Sequence, residues 1–263
     1  MKPDNFIAVF DSGVGGISVL RQLRKLMPGE NYIYYGDSAN APYGSRTTEE
    51  VRTLTLAAAQ KLTTEYPVKA LVVACNTATA VAAAELRARY TLPIIGIEPA
   101  VKPAALLCDA PRVLVMATPL TLREEKFLSL VSRFSDRAEV ISLPCPGLVE
   151  LIEGGHLDDG EVDGYCRRLL TPYRELKIDA VVLGCTHYPH VRSVIARHLP
   201  GAEILDGGEG TARETFRRVK EQGLLNPSER EGEIQMINSS EEERLVELSW
   251  ELLERGLGRK VNR

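Results

Sequence analysis

Two cysteines occupy matched positions in the sequence. Cys75 follows the apolar run LVVA at residues 71–74, and Cys185 follows the similar run VVLG at residues 181–184. Short runs of this composition predict buried β-strands, so each thiol is expected at the end of a strand. Thiols presented by two similar units can face each other across one cleft. An acid and a base on opposite walls could remove a proton from one face of a carbon and return it to the other, which inverts a stereocentre.

Polar residues near both thiols could control their charge. Each cysteine precedes a predicted polar turn and helix, and the positive end of a helix lowers the pKa of a thiol. His187 lies two residues after Cys185 and could accept or supply its proton. Asp11, which follows the first apolar run, could play the same part for Cys75. The sequence therefore predicts one assisting residue for each thiol.

The glycine-rich segment DSGVGG at 11–16 is similar to a phosphate-binding loop but lacks two of its features. Ser18 stands where a Gly-x-Gly-x-x-Gly pattern needs its third glycine, and no Gly-Lys-Ser/Thr sequence follows. We interpret the segment as a tight turn that places Asp11 and Ser12 in the cleft.

The cysteines do not indicate a disulfide framework or a structural zinc site. The chain has five cysteines, and none are spaced as Cys-x-x-Cys. Cys185, His187 and His190 could contribute to a metal site, but a fourth ligand is missing and Pro189 constrains the turn. We therefore expect no metal.

Composition is typical of a soluble globular protein. The 263 residues are 44% hydrophobic and 26% charged, with a net charge of −4, which gives no sign of nucleic-acid binding. Apolar stretches near the length of a membrane span are absent from the sequence, and the first residues lack the features of a signal peptide. We expect a cytoplasmic protein without a membrane partner.

Strand-like and helix-like segments alternate through most of the chain, which predicts an α/β fold with mostly parallel sheets flanked by helices. The order of elements repeats, and the two cysteines are 110 residues apart (185 − 75). We predict two similar domains related by a pseudo-twofold axis, the first formed by 1–100 with a C-terminal return of 210–263 and the second by 101–209. Two unrelated α/β modules with the same strand pattern are the alternative.

Polar clusters follow the predicted strands, and ligands of open parallel sheets bind beyond the carboxyl ends of the strands. The active site is therefore expected in the cleft between the domains. The clusters occupy 11–12, 41–44, 75–77, 118–121 and 185–187.

Several of these motifs, in this order and over about residues 5–215, resemble those of glutamate racemases in the aspartate/glutamate racemase superfamily. They are DSGVGG at 11–16, PYG at 42–44, ACNTATA at 74–80, EPA at 98–100 and GCTHYP at 184–189. The resemblance implies a two-base racemase that interconverts L-glutamate and D-glutamate without a cofactor. Cys185 would deprotonate L-glutamate with the help of His187, and Cys75 would deprotonate D-glutamate with the help of Asp11.

The resemblance also implies further site residues and a biological role. Glu150 matches an acid that the family has near the second thiol, and we include it among the catalytic residues. D-glutamate feeds peptidoglycan synthesis, and thereby the cell wall and cell shape. Relatives are often dimers, which suggests a homodimer. The residues that would bind the substrate are Asp11, Ser12, Tyr43, Gly44, Asn76, Thr77, Thr121, Thr186 and His187.

The chain departs from the family pattern at three positions. Glu124 and Phe127 stand where the family usually has Ser and Tyr, and Gly207 stands where it has Ser in Asp-Ser-Gly. These changes could alter packing or the domain interface. Three alternatives stay open: a racemase of another acidic amino acid such as aspartate, a gyrase-binding protein with secondary racemase activity, and a thiol-redox protein.

Overall fold

The computed structural model describes residues 1–257, which form two parallel β-sheets covered by helices. The first sheet has the strand order β4-β3-β1-β2-β9, and every neighbouring pair is parallel. We call the part of the molecule built on this sheet the first lobe. Its strands are β1 (Phe6–Asp11), β2 (Tyr32–Gly36), β3 (Val68–Val73), β4 (Ile94–Gly96) and β9 (Ile234–Asn238).

The second lobe is built on a sheet with the order β6-β5-β7-β8, again parallel throughout. When the strands are numbered separately within each lobe, both sheets contain the order fourth, third, first, second. A cysteine follows the third strand of each lobe, which is β3 in the first and β7 in the second. The predicted α/β fold with two similar parallel sheets is thus confirmed. The strands of the second sheet are β5 (Arg112–Ala117), β6 (Glu139–Pro144), β7 (Ala180–Leu183) and β8 (Glu203–Asp206).

Helices cover the sheets, so the central strands are buried on both faces and their sequences are almost continuously apolar. The helices are α1 (Ile17–Leu26), α2 (Thr48–Glu65), α3 (Asn76–Arg89), α4 (Val101–Ala105), α5 (Pro119–Arg123), α6 (Glu125–Ser132), α7 (Leu148–Glu153), α8 (Gly160–Leu170), α9 (Arg192–His198), α10 (Gly208–Glu221) and α11 (Glu243–Leu257). Short 3-10 turns occupy Ser38–Asn40, Tyr43–Ser45, Thr171–Tyr173 and Tyr188–Val191. None of the helices within 1–257 is long and apolar enough to cross a bilayer.

The C-terminal segment returns to the first lobe. Strand β9 pairs with β2 at the edge of the first sheet, and α10 and α11 pack against α1. The domain limits at 100, 101, 209 and 210 stay predictions, and residues 258–263 of the predicted return lie outside the described part of the chain.

Two local signals explain how the site-bearing helices begin. Thr47 and Glu50 form a capping box that starts α2. Cys75 is the N-cap of α3, and its sulfur accepts the Ala78 N–H at 3.5 Å. The first thiol is therefore fixed at the carboxyl end of the first sheet, where a parallel sheet presents its ligands.

Candidate active site

The first thiol lies in a buried and weakly polar setting. Cys75 is 5% exposed, and its sulfur contacts the Ser12 hydroxyl at 3.6 Å. Burial raises the pKa of the Cys75 thiol to about 12, and the negative charge of Asp11 acts in the same direction. The sequence expectation of a lowered pKa at the start of a helix is therefore wrong for Cys75, because desolvation outweighs the helix end. Cys75 rests as a neutral thiol near pH 7.

Asp11 links the two lobes beside this thiol. Its carboxylate accepts the Gly13 N–H at 3.0 Å and the Thr186 hydroxyl at 2.9 Å. Burial raises the pKa of Asp11, while the charge of His187 and the hydrogen bond from Thr186 oppose that rise. Thr186 also accepts a hydrogen bond from Ser18 through its carbonyl oxygen. The residue next to Cys185 is thus attached twice to the first lobe.

The second thiol has a charged partner. Cys185 is 7% exposed, and its sulfur lies 3.7 Å from His187 Nδ1. His187 Nε2 lies 2.6 Å from Glu153 Oε1. Burial alone would lower the pKa of His187, but its hydrogen bonds to Cys185 and Glu153 reverse the effect and raise it well above the usual value. Because Glu153 balances the imidazolium, His187 can stay protonated and point one N–H at the Cys185 sulfur.

Glu153 is the acid on His187, and the sequence reasoning missed it. Its pKa is lowered because hydrogen bonds from His187, Val14 and Ser38 outweigh burial. Glu150, the acid chosen from the sequence, lies three residues earlier on α7 and is exposed. Both carboxylates line a surface pocket of about 260 Å³. The helical spacing of three residues put both acids on one face, and a catalytic role for Glu150 stays a prediction.

The glycine-rich turn supports the second thiol as well as the first. The Val14 N–H donates to Glu153 Oε1 at 2.7 Å, so the turn binds the carboxylate with its backbone. A Cβ at Gly13 would lie 1.9 Å from Glu153 Oε1, and a Cβ at Gly15 would lie 2.3 Å from His187 Nδ1. Glycine is needed at these two positions because the His187–Glu153 pair packs directly on the turn.

Three buried hydroxyls connect the lobes on the other side of the first thiol. Thr77 at the start of α3 lies 3.1 Å from the Thr118 hydroxyl and 2.9 Å from the Thr121 hydroxyl. Thr118 and Thr121 are themselves 2.9 Å apart. Gly44 packs against this triangle, since a Cβ there would lie 2.4 Å from Thr118 Cβ. The triangle includes Thr118, which the sequence-based set of substrate residues left out.

The remaining predicted substrate residues have less uniform surroundings. Tyr43 donates its phenolic hydrogen to Asp37 at 2.6 Å, and burial together with Asp37 raises its pKa. Asn76 is buried beside Cys75, and its Oδ1 finds no hydrogen-bond partner within residues 1–257. A buried amide oxygen without a partner is an acceptor that an incoming ammonium group can use.

His190, which could have joined a metal site, has another partner. Its Nε2 lies 3.2 Å from the Gly15 carbonyl oxygen, and burial lowers the pKa of this histidine to about 3. Across residues 1–257, no group of three or more His, Cys, Asp or Glu side chains is arranged to hold a metal ion.

Two of the three departures from the family pattern, Glu124 and Gly207, lie at contacts between the lobes. Glu124 accepts a hydrogen bond from the Thr48 hydroxyl at 2.9 Å. Phe127 is buried in the apolar core of the second lobe. A Cβ at Gly207 would lie 2.3 Å from the Glu98 carbonyl oxygen. The backbones at Gly207 and Glu98 therefore lie closer together than a serine at position 207 would allow without a shift.

Comparison with known proteins gives a consistent result. The family model described as Asp/Glu/Hydantoin racemase matches residues 16–215. A glutamate racemase of Clostridium perfringens is 49% identical over 251 residues, covering 94% of this chain and 96% of the relative. The crystal structure of Escherichia coli glutamate racemase in complex with L-glutamate and the activator UDP-MurNAc-ala aligns with a TM-score of 0.84 at 31% identity, covering 96% of this chain and 95% of that one. The glutamate racemase of Francisella tularensis in complex with D-glutamate aligns with a TM-score of 0.82 at 27% identity, covering 96% and 94%.

Proposed function

Since this chain belongs to the Asp/Glu/hydantoin racemase family, we propose that it interconverts L-glutamate and D-glutamate by a cofactor-independent proton transfer between Cys75 and Cys185. The family membership and the 49% identity to a glutamate racemase together make it an amino-acid racemase. The observation that carries the proposal is the pair of buried thiols, each after the third strand of its sheet, with the Asp11–Thr186 hydrogen bond linking the two lobes beside them.

The proposed reaction begins with unequal thiols. Beside the His187 imidazolium, Cys185 acts as a thiolate and removes the α-proton of L-glutamate. The neutral Cys75 thiol donates its proton to the opposite face of the α-carbon, which gives D-glutamate. The reverse reaction uses Cys75 as the base and Cys185 as the acid: the Asp11 carboxylate takes the proton of Cys75 beforehand, and the His187 imidazolium gives its proton to Cys185.

The α-proton is a very weak acid, so the site must stabilise the carbanion that forms. Buried, pre-oriented donors stabilise such charge far better than water does. We assign this role to the N–H groups at the start of α3 and to the hydroxyl and amide groups around them. The substrate would be held by Ser12, Tyr43, Gly44, Asn76, Thr77, Thr121 and Thr186.

The experiment that tests this function follows optical rotation or circular dichroism of L- and D-glutamate, with aspartate as the competing substrate. We expect racemisation of glutamate by the wild type, and loss of at least about 10³-fold in Cys75→Ser and in Cys185→Ser. Cys108→Ser, which changes an exposed thiol, is the matched control and should retain wild-type activity. Activity on aspartate alone, or an active Cys75→Ser variant, would refute the proposal.

We further propose that the product is D-glutamate for peptidoglycan, made in the cytoplasm by a homodimer. Support for the biological role comes from the glutamate racemases to which the chain is similar. Expression in a bacterial strain that requires external D-glutamate tests it directly. Growth without D-glutamate is expected for the wild type and not for Cys185→Ser, and equal failure of both would contradict the role.

A further inference from the structure

Helix α5 belongs to the second lobe by its place in the chain, but the side chain of its second residue, Leu120, is buried in the first lobe. Leu120 is 5% exposed and lies in the apolar cluster that contains Phe10, Tyr43 and Cys75. The helix packs against α3 and against the 3-10 turn at 43–45. An apolar side chain inserted across the cleft makes a contact that must be lost when the lobes separate.

Polar contacts fix both ends of the same short helix. At its start, Thr118 and Thr121 bond to Thr77 of the first lobe. At its end, the Glu124 carboxylate accepts the Thr48 hydroxyl hydrogen at 2.9 Å. Thr48 is the first residue of α2, where the positive end of the helix favours a carboxylate. Helix α5 is therefore held at three points along seven residues.

The thiols need such a contact to open. Because Cys75 and Cys185 are only 5% and 7% exposed, a substrate carbon can reach them only after a covering segment moves. Glu124 has an extended backbone that separates α5 from α6, so a change of backbone angles at this residue would shift the five-residue helix relative to α6. We propose that Leu120 is a positioning residue that latches α5 into the first lobe, and that its withdrawal admits the substrate and releases the product. Only the identity of the substrate in this inference rests on the proposed function.

The latch can be tested without substrate, by the rate at which iodoacetamide alkylates each thiol in the free protein. Peptide mass spectrometry measures Cys75 and Cys185 separately. We expect Leu120→Ala to accelerate alkylation of both thiols by about tenfold, because truncation of a buried leucine weakens the closed state. The matched control is Leu86→Ala, which removes the same atoms from the same apolar cluster without crossing between lobes.

The alkylation rate of Cys185 distinguishes the latch from simpler explanations. A cavity next to Cys75 would accelerate only Cys75, and general destabilisation would make Leu86→Ala as reactive as Leu120→Ala. Either result, or unchanged alkylation at Cys185, would overturn the latch. Glutamate turnover by the untreated wild type is a separate readout, so faster alkylation of Leu120→Ala together with an inactive wild type would refute the function and not the latch.

A surface variant keeps the test valid if Leu120→Ala does not fold. Glu124→Ser removes the carboxylate from Thr48, and we expect alkylation of Cys185 to rise by about threefold. Glu125→Ser, which changes the neighbouring exposed carboxylate of α6, is the control and should leave the rate unchanged. An alkylation rate of Cys185 in Glu124→Ser that equals the rates in Glu125→Ser and in the wild type would overturn the latch.

Discussion

The two thiol environments share a position in the fold and differ in charge. Cys75 and Cys185 both follow the third strand of a four-strand pattern, yet only Cys185 has a histidine beside its sulfur. Cys75 has a hydroxyl and a backbone N–H as neighbours, and burial raises its pKa to about 12. The duplicated fold thus places two equivalent thiols, and residues that differ between matched positions, such as His187 where the first lobe has Thr77, give the thiols different charge environments.

Among the variants that alter the difference in charge between the two thiol environments, Glu153→Gln is expected to have the largest effect. Without the carboxylate, His187 loses the partner that keeps it protonated, and Cys185 loses its positive neighbour. We expect kcat/KM to fall by about 10²-fold. It must fall equally for both enantiomers, because they have the same free energy in water. Steady-state rates in both directions provide the measurement.

Glu150→Gln is the matched control for that variant. It removes an exposed carboxylate from the same helix, three residues away. We expect its kcat/KM to stay within about twofold of the wild type, because no charge next to His187 is lost. A larger loss in Glu150→Gln than in Glu153→Gln would mean that the acid predicted from the sequence is the functional one.

A smaller loss is expected from Gly15→Ala. The added methyl group would overlap His187 Nδ1, so the histidine must move away from the Cys185 sulfur. We expect about a tenfold loss of kcat/KM, since a misplaced proton carrier is still present. Gly210→Ala, where a Cβ meets nothing within 4 Å, is the control and should keep full activity. Wild-type kinetics in Gly15→Ala would show that the turn does not position His187.

The last effect concerns the stability of the fold and its dependence on pH. The pKa of His187 is raised in the folded protein. Its contribution to the free energy of unfolding is therefore complete below the ordinary pKa of 6.5 and is lost as the pH rises through the pKa in the folded state. Glu153 has a lowered pKa, so its contribution is present above its ordinary value of 4.5 and is lost as pH falls through the folded value. The pair therefore stabilises the fold most between these limits, near pH 6.

Urea unfolding of the wild type and Glu153→Gln measures this contribution. At pH 6 we expect the variant to be less stable by about 2 kcal/mol, because a buried charge loses its partner. The difference should shrink as the pH rises through the folded pKa of His187. A difference that grows between pH 6 and pH 10 would contradict the ion pair.

The sequence predicted the fold well because its signals are local. Alternating apolar runs and helices define the sheets, and the matched runs before Cys75 and Cys185 reveal the repeat. It did not point to Glu153, because which turn of α7 meets His187 depends on the packing of distant parts of the chain. It also gave the wrong direction for the pKa of Cys75, since the depth of burial is not a local property. The insertion of Leu120 into the first lobe likewise depends on tertiary packing.

The central claim is that two different bases act on opposite faces of one carbon. The most direct measurement starts with L-glutamate in deuterium oxide and determines the isotope at the α-carbon of product and remaining substrate early in the reaction. We predict that D-glutamate forms with deuterium at the α-carbon while unreacted L-glutamate keeps protium, because Cys75 donates a solvent-derived deuteron. Product that retains the original protium would show that one base serves both faces, and the account would be wrong.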